Sequence, residues 1–132
     1  MALGHAYIDA EYTSDDYVQG AEVGTPRRSG NIWTSYKFQS GRFEGLALGG
    51  GVKFSGPFKG YATDNRDTNR VKAPGYAIVN ARVAYDISDN TTASVNIDNL
   101  FDKAYYTEVD HVGGGNYYGE TRRISFNLNS RF

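Results

Sequence analysis

The chain has 132 residues, a usual size for one domain, and a formal net charge of −1. This near-neutral balance argues against a nucleic-acid-binding face, which needs a basic surface. The absence of cysteine excludes a disulfide scaffold and a thiolate metal site. With 39% hydrophobic residues and no apolar run near ~20 residues, the sequence contains no membrane-spanning helix.

Alternation of apolar and polar residues predicts six antiparallel β-strands. They span residues 3–13, 30–39, 43–58, 75–87, 91–105 and 119–132. Long polar loops are predicted at 14–29, 59–74 and 106–118, and tight turns at 40–42 and 88–90. In a meander every second connection lies at the same end, so all the long loops share one side. Outer-membrane barrels have this asymmetry, whereas a Greek-key sandwich has no reason to sort its loops in this way.

The last strand shows the two faces most clearly, because apolar side chains alternate there with amides, serines and arginines. With this period of two, all the apolar side chains point to one face of the strand and all the polar ones to the other. The apolar face can contact lipid, and the polar face can line an enclosed interior that holds water or polar groups. Strands of a soluble sandwich can alternate in the same way. On the barrel interpretation, the residues predicted to face lipid are Leu46, Leu48, Val52, Phe54, Val79, Val83, Val95, Ile97, Ile124, Phe126 and Leu128.

Six strands do not close a transmembrane barrel. The smallest single-chain outer-membrane barrels have eight strands, and an open sheet in lipid leaves about ten backbone groups unpaired along each edge. At several kcal/mol per group, the cost is on the order of tens of kcal/mol. The start of the chain also has no basic region, apolar core or cleavage site of an export signal. We therefore expect a truncated reading frame or an excised piece of a larger barrel.

Four segments resemble motifs of the TonB-dependent outer-membrane receptors, in the family's order and spacing. Residues 96–106 (N-I-D-N-L-F-D-K-A-Y-Y) are similar to the family's N-L-F-D-K-x-Y segment, and residues 73–85 begin with its P-G-Y strand motif. Residues 25–36 resemble its N-L-W-T-x-Y segment, which is typical of the ferric-siderophore branch. Residues 118–123 resemble its Y-G-x-P-R motif, with Thr121 in the place of the usual proline.

The resemblance implies that residues 1–132 form the C-terminal part of a 22-stranded barrel, without the N-terminal plug domain. It implies a location in the bacterial outer membrane and a role in the uptake of ferric siderophores, driven by the TonB complex through the missing N-terminal region. The fragment alone is not expected to transport anything. Iron would enter only as a siderophore chelate, so no cofactor and no resident metal are expected. The aromatic residue at position 132, Phe132, is expected to act as a signal to the outer-membrane assembly machinery.

Aromatic and cationic residues of the long loops are the candidates for binding the chelate, because aromatic faces and guanidinium groups suit a negatively charged or hydroxamate-bearing ligand. The alternative for tyrosines near strand ends is the interfacial girdle of aromatic residues. No serine or cysteine has the partners of a catalytic nucleophile, so no enzymatic role is predicted. The ligand-binding candidates are Tyr17, Tyr61, Arg66, Arg70, His111 and Tyr117.

Two other functions remain open at this stage. One is a soluble all-β binding module that uses its long loops for recognition, and the other is a small stand-alone outer-membrane barrel. Dependence on detergent separates the receptor segment from the soluble module. The length argues against a stand-alone barrel, unless several chains close one barrel together.

Overall fold

The computed structural model describes residues 2–8, 26–64, 67–109 and 116–131. Within these ranges it has ten strands and a 3-10 helix, Gly41–Phe43, and no helix that is long and apolar enough to cross a membrane. In chain order the strands are β1 (Ala2–Tyr7), β2 (Arg28–Lys37), β3 (Leu46–Ser55), β4 (Phe58–Asp64), β5 (Asp67–Ala73), β6 (Tyr76–Ser88), β7 (Thr91–Asp98), β8 (Tyr106–Val109), β9 (Asn116–Tyr118) and β10 (Arg123–Ser130).

Six of these strands form one antiparallel sheet in the order β1-β2-β3-β6-β7-β10. Each strand of the sheet pairs with the sheet strand that precedes it along the chain, which is the pattern of an up-and-down meander. The predicted all-β meander of six strands is thereby confirmed. Valine, isoleucine, threonine and tyrosine recur through these strands, and such side chains fit a pleated surface.

The four remaining strands form two hairpins, both at the same end of the sheet. We call this end of the sheet the loop end. β4 pairs with β5, and β8 pairs with β9. The connections predicted as long polar loops at 59–74 and 106–118 therefore contain short strands that the sequence analysis did not predict. These hairpins carry polar residues on both faces, so the alternation that marks a half-buried strand is weak in the sequence.

Several predicted strand boundaries also need correction, among them the end of the predicted strand over 91–105 and the start of the one over 43–58. The strand predicted over 91–105 ends at Asp98, because Asn99 has a φ of 50° and turns the chain out of the sheet. The strand predicted to begin at residue 43 begins at Leu46. It follows the 3-10 turn and Gly45, whose φ of +83° favours glycine. The turn at 88–90 is confirmed, while residues 9–25, which include most of the first predicted loop, lie outside the described ranges.

Burial is concentrated at the loop end rather than on the sheet. Phe58, Ala73 and Val109 form a small buried cluster where the two hairpins meet, with Tyr106 packed against it. On the sheet, by contrast, Phe126 is 78% exposed and Leu128 is 70% exposed. Within the described part of the chain, no second layer covers these side chains.

Candidate functional site

One face of the sheet carries a continuous apolar row. Val52 lies opposite Ile32 and Val79, and Val83 lies opposite Val95. Because directly opposed residues of antiparallel strands point to the same face, the register brings all eleven predicted lipid-facing residues together. Their contact with lipid stays a prediction. These residues are Leu46, Leu48, Val52, Phe54, Val79, Val83, Val95, Ile97, Ile124, Phe126 and Leu128.

The opposite face, which we call the polar face, has a trough along β3. A Cβ built on Gly49 would lie 2.8 Å from Cζ2 of Trp33, and one built on Gly51 would lie 2.5 Å from its Cε3. The indole of Trp33 therefore lies flat across the trough, in space that only glycine leaves open. The sequence gives no signal that a side chain of the neighbouring strand fills this space.

Ion pairs and hydrogen bonds join the strands across the polar face. Lys37 Nζ lies 2.5 Å from Oδ2 of Asp86, and the hydroxyl of Thr92 donates to Oδ1 of the same carboxylate at 2.8 Å. This group links β2, β6 and β7. Nearer the loop end, Arg123 Nη2 lies 3.0 Å from Asp98 Oδ2. These contacts make the face a hydrogen-bonded polar surface, although ion pairs that water reaches add little to stability.

Asn99 is the centre of a hydrogen-bond network at the loop end. Its side chain is almost completely buried, and its amide nitrogen donates to the carbonyl oxygens of Lys103 at 2.8 Å and Glu120 at 3.0 Å. Its Oδ1 accepts from the backbone N–H of Lys103 at 2.9 Å. The backbone N–H of Asn99 itself donates to Oδ1 of Asn80 at 3.0 Å. The network ties the end of β7 to β6 and to the segment that enters β10.

Asp102 closes the same turn from its other side. It also has a positive φ, of 52°, and its Oδ1 accepts from the backbone N–H of Arg122 at 2.7 Å. Sequence inspection assigned both Asn99 and Asp102 to a strand and so missed this role. The available signal was the residue type, since asparagine and aspartate adopt the left-handed conformation more readily than other non-glycine residues.

Two tyrosine pairs lie beside this turn. The ring centroids of Tyr76 and Tyr105 are 4.3 Å apart. Those of Tyr106 and Tyr118 are 4.7 Å apart, and the hydroxyl oxygens of this second pair are joined by a hydrogen bond of 3.2 Å. Burial raises the pKa of Tyr105. The hydrogen bond to Tyr118 raises the pKa of Tyr106. Both phenols therefore stay neutral and hydrogen-bonding at physiological pH.

The residues predicted to bind a chelate are placed as follows. Tyr17, Arg66 and His111 lie outside the described residues, as does Phe132. The backbone places Tyr61 and Arg70 directly opposite each other in the β4–β5 hairpin. Tyr117 lies opposite Glu108 in the β8–β9 hairpin, and its side chain is 55% exposed. Three of the six candidates are thus brought to the loop end, on two hairpins that contact each other.

No group of three or more histidine, aspartate or glutamate residues is positioned to hold a metal ion in the part of the chain that the structure describes. The loop end therefore offers aromatic and hydrogen-bonding surface, without a preformed cluster of metal ligands among those residues. Such a surface can recognise a ligand through stacking and hydrogen bonds.

Comparison with known proteins identifies the family of this chain. The family model described as "TonB dependent receptor-like, beta-barrel" matches residues 1–100. The chain is 32% identical over 124 residues to the ferric-pyoverdine receptor PbuA of a Pseudomonas strain, covering 94% of this chain and 14% of that protein. It is 34% identical over 126 residues to the metal-pseudopaline receptor CntO of Pseudomonas aeruginosa, covering 94% of this chain and 17% of that protein.

The fold agrees with these relatives. The solved structure of the pyoverdine outer membrane receptor FpvA from Pseudomonas aeruginosa, bound to pyoverdine, superposes with a TM-score of 0.76 at 31% identity. The superposition covers 86% of this chain and 17% of that one. The chain thus spans about one sixth of the length of the relatives it matches, which are receptors rather than enzymes. The resemblance of the sequence motifs is confirmed: the chain belongs to the TonB-dependent receptor-like β-barrel family of the bacterial outer membrane.

Proposed function

We propose that this chain forms a wall segment of an outer-membrane receptor that takes up ferric siderophores with energy from the TonB complex. The observation that carries the proposal is the two-faced sheet, in which β2, β3, β6, β7 and β10 each contribute to one apolar row and one polar row. Two hairpins at a single end add the loop asymmetry of outer-membrane barrels. A ferric siderophore is favoured because the relatives PbuA and CntO are receptors for ferric pyoverdine and metal-pseudopaline.

The edges of the sheet support membership of a larger barrel. In the described residues β1 and β10 are edge strands, and each presents a row of unpaired backbone groups. In lipid each unpaired group costs several kcal/mol, which makes an open six-stranded sheet unstable there. Further strands of the same receptor, 22 in all, are proposed to close the barrel around an N-terminal plug that contacts the TonB complex. In this assignment the chain has no catalytic role and no resident cofactor.

The loop end is the proposed receptor surface. The backbone places Tyr61 and Arg70 on one hairpin and Tyr117 on the other. The two hairpins thus supply the residue types, tyrosine and arginine, that suit a chelate. Arginine retains its charge at any physiological pH and forms paired hydrogen bonds to oxyanions. The siderophore would be recognised as an oxygen-rich chelate, with iron as cargo rather than as a cofactor.

A pair of neighbouring substitutions tests the placement in the membrane. Phe126 lies opposite Val95 on the apolar face, and Asn127 lies opposite Ser94 on the polar face. An arginine facing lipid near the bilayer midplane costs roughly 2–4 kcal/mol, whereas one facing the interior remains solvated. In the full receptor, Phe126→Arg is expected to abolish the folded, outer-membrane form and the uptake of radiolabelled ferric siderophore. Asn127→Arg is expected to preserve the folded form.

Equal effects of the two substitutions would contradict the assignment of faces.

A second measurement separates the receptor segment from a soluble binding module. The receptor should fractionate with outer membranes and require detergent for extraction, and a monodisperse, cooperatively melting protein in detergent-free buffer would overturn the proposal.

A further inference from the structure

Tyr106 and Tyr118 lie opposite each other in the β8–β9 hairpin, with their phenol rings in contact. The register pairs the two residues directly, and their ring centroids are 4.7 Å apart at an interplanar angle of 35°. Their hydroxyl oxygens are 3.2 Å apart, so the hydroxyl ends of the two rings lie together. The ring carbons next to each hydroxyl, Cε1 and Cε2, are therefore brought close as well. These carbons are where oxidised phenols join, because the unpaired electron of a phenoxyl radical is shared between the oxygen and them.

Contacts on both sides of the pair hold it in register. The hydroxyl of Thr107 donates to the carbonyl oxygen of Tyr117 at 3.2 Å. The backbone N–H of Gly119 donates to the carbonyl oxygen of Tyr105 at 2.8 Å. Tyr106 also packs against the small buried cluster where the two hairpins meet. The two phenols thus have a fixed mutual geometry, which favours reaction between them over reaction with a phenol met by diffusion.

Solvent reaches this pair more readily than the neighbouring pair of Tyr76 and Tyr105. Tyr118 is 65% exposed, and its hydrogen bond to Tyr106 lies at the surface. The hydroxyl of Tyr105, by contrast, is hydrogen-bonded to the backbone of Glu120. Its ring also lies directly against Gly119, where no Cβ would fit. An oxidant dissolved in water therefore has its best access to the pair in the β8–β9 hairpin.

We infer that Tyr106 and Tyr118 are a modification site, at which hydrogen peroxide acting through a one-electron catalyst such as a peroxidase couples the two phenols into dityrosine. Each phenol gives up one electron and its hydroxyl proton, and the two radicals form a carbon–carbon bond between one Cε of each ring. Each bonded carbon then loses its hydrogen as a proton while the oxygen of the same ring takes one up, which restores both phenols. For each bond formed, one molecule of hydrogen peroxide accepts two electrons and two protons and becomes two molecules of water.

The new bond would join two strands covalently in a chain that contains no cysteine and so cannot form a disulfide. It closes a loop between residues 106 and 118, which restricts the conformations of the opened hairpin as a disulfide does. The inference goes beyond the proposed function and uses neither the chelate nor the orientation in the membrane. A failure of one therefore leaves the other standing.

The test oxidises the purified full receptor with a haem peroxidase and hydrogen peroxide, followed by digestion and mass spectrometry. The expected product is a pair of peptides joined between β8 and β9, lighter than their sum by two hydrogen atoms. Its yield per folded receptor should fall roughly tenfold in Tyr118→Phe, because phenylalanine keeps the ring but leaves Tyr106 without a positioned phenol. Tyr105→Phe and Tyr117→Phe change the adjacent tyrosines and should retain the native yield.

Dilution separates coupling within one receptor from coupling between receptors. The yield of the β8–β9 product should not depend on receptor concentration, because both phenols belong to one hairpin. A yield that falls in proportion to concentration would overturn the inference. So would equal yields in the native receptor and in Tyr118→Phe, since Tyr106 would then couple to a tyrosine that is not held beside it. Absence of the product, under conditions in which free N-acetyltyrosine amide couples in a parallel reaction, would overturn it as well.

Discussion

The backbone N–H of Asn99 donates to Oδ1 of Asn80 at 3.0 Å, and this bond fixes the point where β7 leaves the sheet against the neighbouring strand β6. Asn99→Ala removes the side-chain bonds to Lys103 and Glu120, and it places alanine at a φ of 50°. Unsatisfied buried partners cost about 1–3 kcal/mol, and the left-handed conformation about 1–2 kcal/mol. We therefore expect Asn99→Ala to lower the free energy of unfolding by roughly 2–5 kcal/mol, measured by urea unfolding of the full receptor in phospholipid vesicles.

The matched control for this position is Asn99→Gly, which loses the same side-chain bonds but accepts a positive φ at no steric cost. It should be about 1 kcal/mol more stable than Asn99→Ala. Asn80→Ala removes the acceptor of the bond from the backbone N–H of residue 99, and glycine keeps that N–H. Asn80→Ala should therefore lose as much stability in an Asn99→Gly background as in the native receptor. A smaller loss in that background would show that the bond to Asn80 depends on the side chain of Asn99.

Trp33 and the glycines beneath it give a second prediction. Gly51→Ala would bring a methyl group to 2.5 Å from the indole and from the carbonyl oxygen of Ile32. Overpacking of this kind costs about 1–3 kcal/mol. The neighbouring Gly50→Ala points to the other face, where the nearest atom is 3.7 Å away, and should be neutral or slightly stabilising. Unfolding midpoints of the two receptor variants provide the comparison, and equal destabilisation would argue against the position of the indole.

Alternation predicts the faces of the sheet correctly because the pleat forces a period of two on any strand that separates two environments. Val83 and Arg82, or Phe126 and Asn127, could therefore be assigned to opposite faces from the sequence alone. The hairpins at the loop end could not be predicted from the sequence. Their strands are polar and do not separate two environments, so no alternation of apolar and polar residues marks them. The Asn99 network also escaped prediction, because Asn80 and Glu120 lie 19 and 21 residues away along the chain.

The Tyr106–Tyr118 pair predicts a pH dependence at the loop end, beyond the six-stranded sheet. The hydrogen bond to Tyr118 raises the pKa of Tyr106 in the folded state. A raised folded pKa means that the pair stabilises the hairpin fully below the unfolded value, about 10, and loses this contribution as pH rises through the folded value. Tyr118→Phe should lower the pKa of Tyr106, seen as phenolate absorbance appearing at lower pH in a difference titration. Tyr117→Phe should leave the Tyr106 transition in place.

Chelate recognition at the loop end gives the last prediction. Tyr117 lies in the β8–β9 hairpin with more than half of its side chain exposed, so its ring is available to a ligand. Loss of one aromatic contact of about 1–1.5 kcal/mol corresponds to a five- to tenfold change in affinity. Tyr117→Ala should therefore raise the Kd of the full receptor for its ferric siderophore by that factor, measured with radiolabelled chelate on isolated outer membranes. Tyr36→Ala removes another exposed tyrosine, at the opposite end of the sheet, and should leave the Kd unchanged. If both variants bind like the native receptor, Tyr117 belongs to the interfacial aromatic residues rather than to the binding surface.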